Sequence, residues 1–289
     1  MSIKTLALLL SVIAATCVGA ATVHAQPFAR TWVSNTGTDT STQCSVTAPC
    51  LTFAHAITET SIGGEINCLT PGGFGAVTIS ISVTIDCEGA SNGGISVSSG
   101  AAITINEAGA VVNLIGLDIN GENLSAAGIS ITAAATVTIR NCKIYDFPST
   151  NGGIVFTPGA SGGFLMVDSV LIANANYGIL ESITAGVTNM SVRNSVITNS
   201  NQYGILVATN GGTHAGATIE QTTLANNSNG LNASGGGSVA IIGGSTVVNN
   251  KVGVGTSGGG IVYSFKNNQI GGNESDGTPL TAYPGGPLN

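Results

Sequence analysis

Charge is what this chain has least of: charged residues fill 7% of its 289 positions, against roughly a quarter in an average soluble domain. Basic residues are scarcer still, with seven Lys and Arg against fourteen Asp and Glu. An acidic surface so poor in cations does not suit nucleic acid or an anionic membrane as partner. The helix formers Glu, Lys and Gln are thin on the ground, which argues against a helical bundle. Low charge combined with frequent Val, Ile and Thr rules out a polar disordered chain. Glycine is abundant, at 42 residues, but it does not recur at every third position as a collagen requires. Aromatic residues are 4% of the chain, which leaves little for a sugar-stacking platform.

What the chain does have is repetition. Val137-Thr-Ile-Arg-Asn-Cys-Lys-Ile-Tyr-Asp146 reads as a strand, a polar corner and a second short strand. Versions of it recur at Val112–Ile119, Met166–Leu171, Val192–Ile197, Ile219–Leu224, Ile242–Val247 and Phe265–Ile270. A second element, glycine followed by a short β-rich strand, begins at Gly94, Gly128, Gly153, Gly178, Gly204, Gly230 and Gly253, at intervals of 34, 25, 25, 26, 26 and 23 residues. A period near 25 built from short strands is the signature of a solenoid.

Residues 1–25 stand apart. Lys4, the apolar stretch Leu6–Ala15 and Val23-His24-Ala25 read as a secretory signal peptide cleaved after Ala25. Later apolar runs are broken by Gly, Ser and Asn, so no membrane insertion is expected after cleavage. The expected location is therefore secreted or periplasmic. Cleavage leaves six Lys and Arg against fourteen Asp and Glu, a net charge of about −8.

In an exported protein, Cys44 and Cys50 around the Pro49 turn read as a disulfide. Aligning Ile66-Asn-Cys68 with Ile85-Asp-Cys87 stacks a second pair on adjacent turns, where strands ~4.8 Å apart match the spacing a disulfide accepts. Cys142 is left as a buried free thiol in a small-residue column with Ser169, Ser195 and Ser245. Residues 51–61 form the one plausible helix, capped by Thr52, with Phe53, Ala56 and Ile57 on one face, plugging the end of the coil. The expected organisation is a signal peptide (1–25), a cap with disulfide loop and short helix (26–62), the coil (63–277) and a Pro/Gly-rich tail (278–289).

Trp32-Val-Ser34 with Gly37 and Asp39, Pro49–Phe53 leading into the helix, Gly64-Glu-Ile66, Pro71-Gly72 and Val77-Thr-Ile79 resemble the opening of right-handed parallel β-helix proteins of the pectate-lyase-like superfamily, close to uncharacterised secreted bacterial members. With the repeats, the resemblance covers nearly all of the chain after residue 25. It implies three parallel sheets wound right-handed around an apolar core, and with the repeats and the helix the chain reads as an all-β, single-stranded right-handed parallel β-helix of about eight turns with a short N-terminal capping helix. It implies no single chemistry, because the fold hosts lyases, hydrolases, epimerases, adhesins and inert spikes.

Stacking the repeats predicts two inward columns: Leu114, Ile139, Met166, Val192, Ile219, Ile242 and Phe265, then Ile119, Ile144, Leu171, Ile197, Leu224, Val247 and Ile270. Corner columns follow: Gly116, Asn141, Asp168, Asn194, Gln221, Gly244 and Asn267, then Asp146, Asn174, Asn199, Asn226, Asn249 and Asn273. Of the outward residues, Asp118 should neighbour Lys143, and Arg193 should neighbour Glu220. Asp118, Arg140, Lys143, Asp168 and Arg193 are the candidate catalytic or binding residues: cations would hold an acidic sugar, and a lyase would add a base with Ca²⁺ or arginine. The first account of these charges is structural, as cross-strand pairs. No dense carboxylate cluster for Ca²⁺ and no Asp-Asp pair is present, so no cofactor or metal is expected unless the protein is a lyase. His55 and His214 lack an adjacent acid. The glycine-rich matches at 89–93, 159–163 and 253–258 lack the helix that nucleophile-elbow and dinucleotide motifs require. Three functions stay open: a surface for extracellular or cell-envelope polysaccharide, a polysaccharide lyase or hydrolase, and a structural envelope or spike protein.

Overall fold

Short strands of β-branched residues, separated by residues that accept a left-handed backbone, wind this chain into a coil. The computed structural model describes residues 27–90, 93–124, 126–133, 135–159, 162–210 and 213–284. The expected signal peptide and its cleavage site lie outside the described residues. The coil makes about eight turns. All pairings between its named strands are parallel. Among the described residues, no helix is long and apolar enough to cross a membrane.

Each turn presents three faces. Face 1 is an 11-stranded sheet running from Phe28–Val33 through Thr136–Arg140 and His214–Glu220 to Thr281–Ala282. Face 2 carries short strands such as Leu117–Asn120, Val196–Thr198 and Thr223–Ala225, and face 3 carries strands such as Ala127–Ile131, Tyr203–Thr209 and Asn229–Ser234. Strands Lys143–Phe156 and Leu171–Ile183 run from face 2 into face 3, joining the two into one 16-stranded sheet. The strand at Thr281–Ala282 pairs with Tyr263–Ser264, so face 1 continues into the segment read as a tail.

Like stacks on like inside. Ile85, Leu114, Ile139, Val167, Val192, Ile219 and Ile242 share one column and are fully buried. A second column runs through Ile119, Ile144, Ile172, Ile197, Leu224 and Val247, also fully buried. Each such side chain contributes roughly 1.5–3 kcal/mol when removed from water. The recurrent glycines close the third side: a Cβ at Gly178 would lie 2.3 Å from Ile197 Cγ2 and 2.5 Å from the Gly204 carbonyl oxygen, so the face-3 backbone rests directly on the second column.

The corners are held by left-handed residues: Gly116, Asn141, Ser169, Asn194, Gln221 and Gly244 at the first, and Asp146, Asn174, Asn199, Asn226, Asn249 and Gly272 at the second. One residue past the second corner an amide ladder points inward. There the Asn250 Oδ1 accepts from the Asn227 backbone N–H at 2.9 Å, and the Asn273 Oδ1 accepts from that of Asn250 at 2.9 Å.

The stacking of two turns is corrected by one residue. Val167, not Met166, pairs with Ile139 and points inward, and Ile172, not Leu171, pairs with Ile144. Asp168 therefore lies outward beside Arg140 and Arg193, and Ser169 turns the corner. Val170 accordingly takes the place beside Ser195, whose Oγ accepts from the Val170 backbone N–H at 3.2 Å. At the C-terminal end Ser264 pairs with Ile242, so Phe265 points outward rather than into the core, and Asn273 belongs to the inward ladder rather than the corner.

The helix spans Phe53–Glu59, its first turn capped by Thr52 Oγ1, which accepts from the His55 backbone N–H at 3.1 Å. Phe53 and Ala56 are buried and Ile57 packs against the core. The Asp39 carboxylate accepts from the backbone N–H groups of Leu51 and Thr52 and from the Thr52 hydroxyl, at 2.9, 3.0 and 2.8 Å, anchoring the chain as it enters the helix. The disulfides are Cys44–Cys50 and Cys68–Cys87, each with Cα atoms 4.8 Å apart, and Cys142 is a buried free thiol.

Candidate functional site

The polar features converge along one line, the outward residue that ends each face-1 strand. Consecutive turns place Asp86, Ile115, Arg140, Asp168, Arg193, Glu220 and Gly243 in register, at one rung per ~4.8 Å. The strands fix this line because each is hydrogen-bonded on both sides and anchored by the buried column one residue earlier.

Arg193 Nη2 meets Asp168 Oδ2 at 2.9 Å, while Asn194 Nδ2 and the Ser169 hydroxyl donate to Asp168 Oδ1 at 3.0 and 3.1 Å. Burial alone would raise the Asp168 pKa, but these hydrogen bonds and the guanidinium charge outweigh it and hold the carboxyl below the usual carboxylate range. Arg140 Nη2 lies 3.5 Å from Glu88 Oε2, and Asn141 Nδ2 donates to Glu88 Oε1. Arg193 and Glu220 are rung neighbours, as expected, but the Arg193 guanidinium turns to Asp168.

Asp118 and Lys143 lie across the first corner, on face 2, and pair in register. Asp118 Oδ1 accepts from the Tyr145 hydroxyl at 2.8 Å. Burial first, then the bond and charge of Asp118, push the Tyr145 phenol up to about 12. The five candidate residues thus sit around one corner, with Arg140, Asp168 and Arg193 on one side of it and Asp118 and Lys143 on the other.

Asp168 is a poor base because both of its oxygens accept hydrogen bonds and its pKa is low. Asp168 and Glu220 stand two rungs apart, roughly 10 Å, with Arg193 between them, which is too far to share an ion bound at ~2.4 Å. Among the described residues, the one group with metal-ligand spacing is Cys44, Cys50 and His55. Its sulfurs form the disulfide, and His55 Nε2 lies 2.8 Å from the Ser41 carbonyl oxygen. His214 is exposed at the start of a face-1 strand, opposite Val187.

The line ends in a hollow of about 340 Å³ lined by Glu220, Gln221, Gly243, Gly244, Phe265 and Asn267. The hollow is not legible in the sequence as long as Phe265 is read as inward. The signal was the glycine pair at 243–244, in a column whose neighbouring turns carry Arg-Asn and Glu-Gln. A further groove of about 400 Å³, lined by Ile57, Thr58, Val77 and Thr104 among others, separates the capping helix from face 3. A buried carboxyl, Glu181, was also missed. Its alternation with Ile179 and Ile183, both inward, was the available clue.

A family model described as "Right handed beta helix region" matches residues 72–252. A crystal structure of pectate lyase Pel9A is similar with a TM-score of 0.58 and 12% identity, over 88% of this chain and 81% of that chain. At that identity the likeness is one of fold. No curated protein matches. The family match spans more than half of the chain and coincides with the coiled region, so the chain belongs to the right-handed β-helix family, with a pectate-lyase-like architecture.

Proposed function

We propose that the protein binds extracellular or cell-envelope polysaccharide without cleaving it, along the outer edge of face 1. The observation that carries this reading is the straight line Arg140, Asp168, Arg193 and Glu220, flanked by the corner side chains of Asn141, Asn194 and Gln221. Guanidinium, carboxylate and amide groups held at a fixed rung spacing are matched to a chain of hydroxyl groups. A rigid sheet keeps them pre-ordered, so little side-chain entropy is lost on binding. The charges largely cancel in pairs, which suits a neutral or weakly charged chain better than a dense polyanion. Two disulfides fit an oxidising location outside the cytoplasm.

The test is to incubate the protein, beginning at residue 26, with acidic and neutral polysaccharides, with and without Ca²⁺. Affinity electrophoresis measures retention, and absorbance of unsaturated uronate and released reducing ends measure cleavage. Retention without products is expected, with Arg193→Ala weakening it at least about tenfold, as for loss of one charged hydrogen-bonding group. Unsaturated products would establish a lyase, and reducing ends alone a hydrolase. Absence of both retention and products would leave a structural rod.

A further inference from the structure

We propose that the hollow at Gly243–Gly244 is a subsite for one uncharged pyranose unit, stacked on Phe265 and hydrogen-bonded by Glu220, Gln221 and Asn267. The inference rests on the polysaccharide reading above and names the sugar class its end would take.

The hollow exists because two side chains are missing. The preceding turns carry Arg193-Asn194 and Glu220-Gln221 at these positions; here the Gly243 place admits the Phe265 ring as one wall and the Gly244 place stays bare, and the hollow so bounded measures about 340 Å³, within the range of small-ligand sites. Turn geometry accounts for one of the glycines only. Gly244 has a φ of +57°, which the left-handed corner requires, whereas Gly243 is not among the positive-φ residues. What Gly243 accommodates is the aromatic ring: a Cβ there would lie 2.4 Å from Phe265 Cδ2. Phe265 is therefore seated on the bare backbone of the turn before it. Tyr283 braces the ring, with centroids 5.6 Å apart and planes at 76°, and Tyr283 packs in turn on Tyr263 at 5.8 Å.

The polar groups around the ring have free capacity. Arg193 is committed to Asp168, so the exposed Glu220 carboxylate has no side-chain partner among the described residues. Asn267 Oδ1 accepts from the Gly244 backbone N–H at 2.8 Å, which orients the amide, while its Nδ2 stands 3.8 Å from where a Gly244 Cβ would be, facing the hollow. Gln221 Cγ borders the same space at 3.7 Å. An aromatic ring beside a carboxylate acceptor and amide donors matches the apolar face and hydroxyl rim of a neutral sugar. The unpaired Glu220 charge would repel a uronate.

The experiment compares wild type, Phe265→Ala, Glu220→Gln and Arg193→Ala. Affinity electrophoresis and calorimetry use soluble β-glucan, xylan and mannan as neutral probes and polygalacturonate as the acidic one, with melting curves to confirm folding. Wild type should be retained by at least one neutral glycan. Phe265→Ala should bind at least about tenfold more weakly, as for a buried aromatic anchor, and Glu220→Gln about fivefold more weakly. If Phe265→Ala unfolds, Glu220→Gln carries the test. Binding that Arg193→Ala weakens while the two hollow variants leave it unchanged would overturn the subsite and keep the polysaccharide reading. Retention by polygalacturonate alone would overturn the neutral class. Absence of retention on every probe would overturn both.

Discussion

Replacing Glu181 with glutamine should stabilise this protein at neutral and alkaline pH and leave it nearly unchanged in acid. Glu181 is fully buried in the coil, in register with Phe156 on one turn and Val207 on the next, both also fully buried. Neither carboxyl oxygen has a hydrogen-bond partner among the described residues. Burial pushes the pKa up from 4.5 to about 7; the Thr188 hydroxyl opposes the rise, close enough to act on the carboxyl but outside hydrogen-bond geometry. The folded protein therefore keeps a proton that the unfolded chain begins to release near pH 4.5. Stability from this group is fully present below about 4.5, falls as the pH climbs to about 7, and is flat beyond. The loss is roughly 3 kcal/mol. In a domain of this size that is about 6–12 °C of melting temperature. Melting curves of wild type and Glu181→Gln from pH 4 to 8.5 isolate the group, because other titrations cancel in the difference. The gap should open between pH 4.5 and 7, with the variant higher. Parallel curves across the whole range would refute the reasoning.

Two further outcomes follow from other parts of the coil. Asn250→Ala removes bonds from Asn250 Nδ2 to the Leu224 and Val248 carbonyl oxygens and strands the buried Asn227 backbone N–H. A cost of about 3 kcal/mol is expected, read as a lower urea midpoint with an unchanged m-value. Cys142, its thiol pushed up to about 12 by burial, should resist a thiol reagent at pH 8 in folded protein expressed from residue 26. One equivalent should react after denaturation; prompt native labelling would contradict its burial.

Much of the fold was legible because a solenoid writes each structural role many times over. The pairing Ile66↔Ile85 and Asn67↔Asp86 is the alignment that placed Cys68 over Cys87. The register failed where alternation failed. Around Leu165-Met166-Val167 and Val170-Leu171-Ile172, apolar residues occupy both parities, and a slip of one residue exchanges inside for outside. The left-handed Ser169 decides that turn, and a serine carries a weaker corner signal than the asparagines at 141 and 194. The candidate site was legible as a line of charges but not as a set of partners. Arg193 has a carboxylate on the rung at either side, and its choice of Asp168 depends on Ser169 and Asn194 gathering around that carboxylate. Among the described residues Glu220 is thereby left without a side-chain partner, and the hollow beside it depends on a ring that the repeat alignment turns inward.

The corners also tolerate insertion. Between Ser264 and Gln269 the chain holds one residue more than between their partners Ile242 and Thr246, yet both flanking pairs are in register. Between Phe147 and Gly152 it holds three more than between Ala175 and Tyr177, again with pairing resumed on either side. Length errors are thus absorbed locally, and the strands beyond them do not shift. A coil built this way can acquire new loops at its edges, one turn at a time, without renegotiating its core. These corners are the natural places to graft a foreign loop or an affinity tag, whereas a one-residue insertion in a straight stretch such as Thr136–Arg140 would reverse the faces of the residues up to the next corner.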